Sequence, residues 1–143
     1  MLKVSKRAEY GLIATAALAA DPEVRMSVRA LAERYTLPQR LLAEVMKDLQ
    51  HGGLVEGQRG VNGGYRLAVP AEKLTVRRVF RILEGPLGVA QCSIGKFVEA
   101  SFCEQKQTCP IHDPINRIHA EIDGLLARMT VGEMARPPLE ASA

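Results

Sequence analysis

Hydrophobic residues recur at helical spacing three times in the first part of the chain, and each stretch predicts a helix. Ser5 and Ser27 stand where N-caps are expected for the first two, the second covering Val28 to about Tyr35. Residues 36–39 have the form of a capping box with proline in the first turn, and they open a third helix to about His51. The predicted inward-facing residues are Tyr10, Ile13, Ala14, Ala17, Leu18, Val28, Leu31, Ala32, Leu41, Leu42, Val45, Met46 and Leu49.

A hairpin is predicted directly after the third helix, where two short apolar stretches flank a glycine-rich turn. Asn62 followed by Gly63 is a strong signal for a tight turn, since both turn positions favour positive φ. Arg59 precedes the turn, and Tyr65 and Arg66 follow it. Two helices joined by a short turn, the second with a polar outer face, indicate a helix-turn-helix, and the hairpin behind them indicates a wing. A purely structural helical hairpin and a solvated hairpin are the open alternatives.

Two further helices follow the hairpin. Thr75 caps a short one that Gly85 and Pro86 end, and Pro114 opens a long one that reaches about Thr130. Apolar residues in the long helix recur at steps of 3, 4, 3 and 4, which is an a/d seam. Such a seam favours pairing with a second copy, with packing on its own domain as the alternative. The seam residues are Ile115, Ile118, Ile122, Leu125 and Met129, with Leu126 beside them.

The predicted fold class is mainly α with a small β-hairpin. With 143 residues, 47% of them hydrophobic, the chain has room for one domain and an appended element. We expect a winged helix-turn-helix domain over residues 1–85 and a cysteine-containing loop over 86–113. A dimerisation helix with a C-terminal turn over 114–135 and a flexible tail over 136–143 complete the chain.

The charge is distributed unevenly along the chain. Residues 1–81 carry 14 Lys and Arg against 8 Asp and Glu, whereas residues 82–143 carry 5 against 8. The first part therefore has the electrostatics of a polyanion binder. No catalytic triad, carboxylate pair or phosphate loop is visible, so an enzyme is not expected. The basic start and the apolar run that follows it imitate a secretory signal, but Glu9 interrupts the imitation, and we expect a soluble cytoplasmic protein without a membrane partner.

All three cysteines lie close together, at Cys92, Cys103 and Cys109, with ten and five residues between them. Three thiolates within one loop suit a soft metal centre, and thiolate is the ligand of iron–sulfur clusters. A structural zinc site more often has Cys-x2-Cys pairs. The fourth ligand has two candidates, His112 nearby and Glu9 from a partner's first helix. A thiol switch between Cys103 and Cys109, and inert cysteines, stay open.

The DNA-binding hypothesis assigns roles to exposed polar residues. Gln39, Arg40 and Glu44 are the expected base readers, because arginine pairs with guanine edges and glutamine with adenine edges. Arg59 is expected to enter the narrow minor groove, where negative potential is concentrated. Residues expected to meet phosphate or to support the contact are Lys6, Ser27, Lys47, Asn62, Tyr65 and Arg66.

The whole pattern resembles the Rrf family of winged-helix bacterial transcription regulators, which includes IscR and NsrR types. The matching segments are residues 5–10, 27–32 and 53–55, Arg59 and Gly60 with residues 63–65, and the three cysteines. The resemblance implies a homodimer on palindromic promoter sites, with a cluster held by three cysteines. In the IscR type a histidine at the place of His112 completes a 2Fe–2S site. In the NsrR type an acidic residue at the place of Glu9, from the partner, completes a 4Fe–4S site.

This sequence departs from the family pattern in two places. The gap between Cys92 and Cys103 is several residues longer than usual, and Ala43 stands where the IscR type carries an acidic residue. The hypothesis is a transcription regulator whose promoter binding is controlled by a cluster that senses iron or cluster status, redox state or nitric oxide. The alternatives are a metal-free thiol-switch regulator and a small electron-transfer protein.

Overall fold

The structure, a computed structural model, describes residues 3–90, 104–105 and 107–136. Within them lie six helices and an antiparallel pair of strands, so the fold is mainly α with a small hairpin, as predicted. The elements in chain order are α1 (Lys6–Ala20), α2 (Val28–Tyr35), α3 (Gln39–His51), β1 (Val55–Gln58), β2 (Gly64–Leu67), α4 (Val76–Glu84), α5 (His112–Arg128) and α6 (Val131–Ala135).

One aliphatic core holds the first four helices and the hairpin together. The predicted inner face of α3 is confirmed at four positions that are completely buried, and Leu41 is only half-buried. On α1 the buried face consists mostly of small residues, with Leu18 as the large one, so the neighbouring helices approach it closely. Tyr10 and Ile13, predicted inside, are half-buried. Among the described residues, the largest fully buried hydrophobic side chains are Leu18, Leu31, Leu42, Val45, Met46, Leu49, Leu54, Leu74, Val79 and Val131.

Helix starts follow the predicted caps in three cases. The hydroxyls of Ser5, Ser27 and Thr75 each accept a hydrogen bond from a backbone N–H of the first turn of α1, α2 and α4. The predicted capping box before α3 is wrong. Thr36 instead ends α2 in the left-handed region at φ 55°, where its N–H donates to the carbonyl of Ala32. No side chain caps α3, which follows Pro38 directly.

The predicted wing is present, but its turn differs from the prediction. The strands pair antiparallel from Val55 with Leu67 to Gln58 with Gly64, which leaves a five-residue loop instead of a tight Asn62-Gly63 turn. Within the hairpin, the positive φ values fall on Gly60 and Gly64. At Gly64 a Cβ would lie 2.7 Å from the carbonyl carbon of Met26, so the close approach of that segment demands glycine.

The segment between α1 and α2 extends the hairpin by one residue pair. Met26 donates its N–H to the carbonyl of Tyr65 at 2.9 Å and accepts from the N–H of Tyr65 at 2.7 Å. The wing is therefore bonded on its inner edge to the chain that leads into α2. This contact joins two residues far apart in the sequence, and it fixes the hairpin against the helix-turn-helix.

The C-terminal helices return to the winged domain. The predicted long helix is confirmed, although it begins two residues before Pro114 and ends at Arg128. A short helix, α6, follows with its own capping box between Thr130 and Glu133. Val131 is completely buried in the main core, and its N–H donates to the carbonyl of Leu74 at 2.8 Å. Backbone hydrogen bonds of this segment thus attach the end of α5 to the winged domain.

None of the helices within the described ranges is both long enough and apolar enough to cross a membrane.

Candidate nucleic-acid interface and cysteine segment

A polar groove runs between the C-terminal half of α3 and the wing. Lys47 of α3 and Arg59 of the wing loop line it together with Tyr65 of β2, and it encloses about 290 Å³. The other lining residues are Gln50, Gly57, Gln58 and Gly64. Two cations, amide groups and a phenol around one concave surface make a site that suits a phosphate backbone. Sequence reasoning missed Gln50 and Gln58, although both follow the polar faces of their elements.

The cations of this groove are available for an external partner. Lys47 and Arg59 are exposed, and neither has an ion pair with any residue in the part of the chain that the structure describes. Arg40 and Gln39, the predicted base readers, are exposed on the first turn of α3. Asn62 is exposed in the wing loop. The DNA contacts expected of these five residues remain predictions.

Other predicted contact residues have partners within the chain. Lys6 bonds Glu9 at 3.1 Å, and that hydrogen bond, followed by the charge of Glu9, raises the pKa of Lys6. Arg66 forms an ion pair with Glu56, its cross-strand neighbour. The hydroxyl of Ser27 is already used as the cap of α2. Lys6 and Arg66 therefore have to give up or share their carboxylate partners when they contact DNA, whereas the cap uses the Ser27 oxygen only as an acceptor.

Glu44, the third predicted base reader, belongs to a charge cluster that joins α1 to α3. Its carboxylate lies 3.8 Å from the guanidinium of Arg7, which also bonds Asp48 one turn further along. Arg7 of α1 therefore partly neutralises both acidic residues of α3. Such compensation reduces the repulsion between α3 and a polyanion. Sequence reasoning missed Arg7, because its partners lie on another helix.

The cysteine segment is described only at its end. Cys92 and Cys103 lie outside the described residues. Cys109 is a free, half-buried thiol. His112 starts α5, and its N–H points to the carbonyl of Cys109 at 3.4 Å. Within residues 3–90, 104–105 and 107–136, no three His, Cys, Asp or Glu side chains gather as a metal site.

The surroundings of His112 suit a ligand role. Its Nδ1 lies 3.0 Å from a carboxylate oxygen of Asp113, and its Nε2 lies 3.3 Å from the amide nitrogen of Asn116. Metal-binding histidines commonly have one ring nitrogen held by a carboxylate, which fixes the tautomer. Asn116 also donates to the carbonyl of His112 at 2.8 Å, so it keeps a partner if Nε2 turns to a metal. The donor set that can be described, a thiol and an oriented imidazole, fits an iron–sulfur group.

Glu9, the other candidate ligand, lies on α1. It lines an apolar hollow with Val4, Leu12, Ile13, Ala16 and Met134. Its carboxylate is about half exposed and bonds only Lys6 among the residues described, so it remains accessible to a neighbouring chain.

The seam of α5 is divided between two environments. Ile122 and Leu126 turn inward and line an apolar cavity of about 340 Å³ with Phe80 of α4. Ile118 and Leu125, one heptad apart, are 48% and 50% exposed, and Met129 and Ile111 are exposed too. The helix therefore packs on its own domain with one side and has an exposed apolar stripe on the other.

Comparison with known protein families gives one match that spans nearly the whole chain. The model of a family described as Rrf2, iron-dependent transcriptional regulator, matches residues 4–137.

Solved structures with the same fold include regulators of several bacteria. CymR, the global cysteine regulator of B. subtilis, is 26% identical over 94% of this chain and 97% of that chain, with a TM-score of 0.75. IscR of T. potens is 29% identical over 99% and 92%, with a TM-score of 0.74. The oxidised form of Staphylococcus aureus CymR is 27% identical over 95% and 98%, with a TM-score of 0.71.

Proposed function

Since the chain belongs to the Rrf2 family of transcriptional regulators, we propose that it binds promoter DNA as a homodimer and that an iron–sulfur cluster controls this binding. The fold is that of DNA-binding regulators, not of enzymes. The proposed partner is double-stranded promoter DNA. The proposed location is the bacterial cytoplasm, where that DNA is found.

The observation that carries the DNA-binding proposal is the groove between α3 and the wing. It gathers Lys47 and Arg59, two exposed cations without ion pairs in the described chain, beside Tyr65. The first turn of α3 adds Gln39 and Arg40 as exposed side chains able to read base edges. Phosphate contacts supply affinity, and the base contacts from α3 supply sequence preference.

The homodimer rests on the stripe of α5. An isolated chain exposes Ile111, Ile118, Leu125 and Met129 along one side of this helix. The same stripe on a second copy is the simplest cover, because a two-fold contact matches identical surfaces. Two copies of α3 would then face two half-sites of a palindrome.

The cluster would be held by Cys92, Cys103 and Cys109, with His112 or the Glu9 of a second copy as fourth ligand. When bound, such a group supplies a centre that changes with iron supply, oxidants or nitric oxide. Asp113 would orient His112 through Nδ1, at the 3.0 Å distance described above. The half-buried position of Cys109 would keep its thiolate partly shielded from solvent.

Anaerobic purification tests the ligand set. The protein is expected to carry iron and acid-labile sulfide and to absorb visible light. Either His112→Ala or Glu9→Ala is expected to alter this spectrum and shorten the life of the cluster in air, whereas the exposed controls His51→Ala and Glu23→Ala leave both unchanged. A protein without iron and sulfide after anaerobic reconstitution would contradict the cluster.

A metal-free thiol switch is the second candidate, favoured by the similarity to CymR, including a structure of its oxidised form. Cys109 is a free thiol in this chain, and Cys103 is its predicted partner. In this case mild oxidation removes two thiols from iron-free protein and changes promoter affinity. Cys109→Ser abolishes that response. If the affinity of the iron-free protein for promoter DNA does not change on oxidation, the thiol switch is excluded.

A further inference from the structure

Arg25 is a charged residue in an unusually enclosed place. Its side chain is only 19% exposed, although it lies in the short connection between α1 and α2. Removing a guanidinium from water is costly unless its N–H groups find acceptors. The partners of Arg25 therefore indicate what this burial achieves.

Those partners lie on both strands of the wing. One terminal nitrogen, Nη1, donates to the carbonyl of Glu56 on β1 at 3.4 Å and to the carbonyl of Gly64 on β2 at 3.3 Å. The other, Nη2, lies 3.5 Å from the carboxylate of Glu56. Glu56 also holds Arg66, so one carboxylate joins the connection before α2 to both strands. A planar guanidinium spreads five N–H donors over three nitrogens in a rigid fork, whereas an ammonium group has three donors on a single nitrogen.

The backbone next to Arg25 makes the same connection. Met26 exchanges two hydrogen bonds with Tyr65, and Gly64 approaches the Met26 carbonyl too closely for any Cβ. Ser27, the next residue, caps α2. The wing, the connection before α2 and the start of α2 are therefore bonded in one continuous unit, with Arg25 at its partly buried centre.

We propose that Arg25 is a positioning residue that fixes the angle of the wing relative to α3 and thereby places Arg59 for contact with DNA. This inference rests on the proposed DNA-binding function of the wing. Arg25 itself makes no contact with DNA, because its guanidinium is turned inward to the strands. Its loss leaves the ladder of β1 and β2 and the Met26–Tyr65 backbone pair in place, but it removes the side-chain contacts that brace the wing against the helix-turn-helix and so loosens this junction.

A double-mutant cycle tests the role. The affinity for an operator duplex, selected from a random pool with the wild-type protein, is measured by fluorescence anisotropy for Arg25→Lys, Arg59→Ala and the combination. We expect each single change to weaken binding about tenfold. In the Arg59→Ala protein, Arg25→Lys is expected to add no more than about a threefold loss, since both changes remove the same contact. Lys73→Ala, an exposed charge outside the groove, serves as the control and stays within about twofold.

Hydrogen exchange of the same variants reports on the wing itself. In Arg25→Lys the amides of Met26 and Tyr65 are expected to exchange faster, while the amides of α3 keep their protection. Unchanged exchange at these two amides would refute the positioning role.

The outcomes separate this inference from the function on which it rests. If Arg59→Ala binds like the Lys73→Ala control, the wing contact of the proposed function fails. If Arg59→Ala weakens binding but Arg25→Lys leaves it unchanged, only the positioning role fails. Losses that multiply in the double variant mean that Arg25 acts independently of Arg59, which also refutes the role.

Discussion

Replacing Arg59 by alanine removes a cation that has no competing ion-pair partner among the described residues. Arg59 is exposed in the wing loop, and no ion pair holds it within the described residues. Within the part of the chain that the structure describes, no ion pair of Arg59 has to break before it contacts DNA. By contrast, Arg66 shares Glu56 and Lys6 shares Glu9. The structure thus predicts that Arg59→Ala weakens DNA binding more than Arg66→Ala or Lys6→Ala does.

The size of the effect follows from counterion release. A cation that neutralises DNA charge contributes about 0.9 to the slope of log affinity against log salt. The slope of Arg59→Ala is therefore expected to be shallower by about 0.9 for each protomer bound. Over about a fourfold change in salt concentration, the ratio between wild-type and variant affinities should fall by roughly three- to fourfold per wing.

The assay is a series of anisotropy titrations of one operator duplex across salt concentrations. Lys73→Ala removes the same charge from an exposed position outside the groove and serves as the matched control. If the slopes of Arg59→Ala and Lys73→Ala are equal, Arg59 does not meet DNA, and the interpretation of the groove is wrong.

Three further changes probe the fold, the pairing surface and the wing junction. Val131→Ala should lower the free energy of unfolding in urea by about 2 kcal/mol, because two buried methyl groups are lost. A loss no larger than that of the exposed Met134→Ala would contradict the attachment of α6 to the core through Val131. Leu125→Glu should shift the protein from dimer to monomer in sedimentation at micromolar concentration, and an unchanged dimer would exclude the α5 stripe. Gly64→Ala should destabilise the protein by roughly 1–3 kcal/mol in thermal unfolding, because φ is 132° and the Cβ meets Met26; an unchanged melting temperature would show that no strain arises there.

Local signals in the sequence were sufficient for three of the helix starts. Ser5, Ser27 and Thr75 cap their helices as predicted, because a cap bonds backbone groups only a few residues away. Thr36 shows the limit of this reasoning. Its position favoured a cap for α3, but its backbone is taken up by the end of α2.

Contacts between distant segments decided what the sequence did not reveal. The hairpin turn was misassigned because the approach of Met26 places the positive φ on Gly64 and not on Asn62. The burial of Arg25 depends on both wing strands and has no periodic signal. The division of the α5 seam likewise depends on α4, which covers Ile122 but leaves Leu125 exposed.

The sequence contains a signal for α6 that reasoning from hydrophobic patterns missed. Thr130 and Glu133 have the spacing of a capping box, and both of its hydrogen bonds are present at the start of α6. Within the candidate site, Lys47, Arg59 and Tyr65 were predicted as DNA contacts, because Lys47 lies on the polar face of α3 and the other two flank the glycine-rich turn of the hairpin. Their convergence on one groove became visible only in the structure.

We propose that a cluster held by the cysteine segment controls promoter binding. The most direct measurement is an anaerobic titration of one selected operator duplex with two samples of a single preparation, one reconstituted with iron and sulfide and one stripped of both. We expect the two samples to differ in affinity by at least about tenfold, and Arg59→Ala to weaken whichever form binds more tightly. Equal affinities of samples whose iron and sulfide contents differ would contradict control by a cluster.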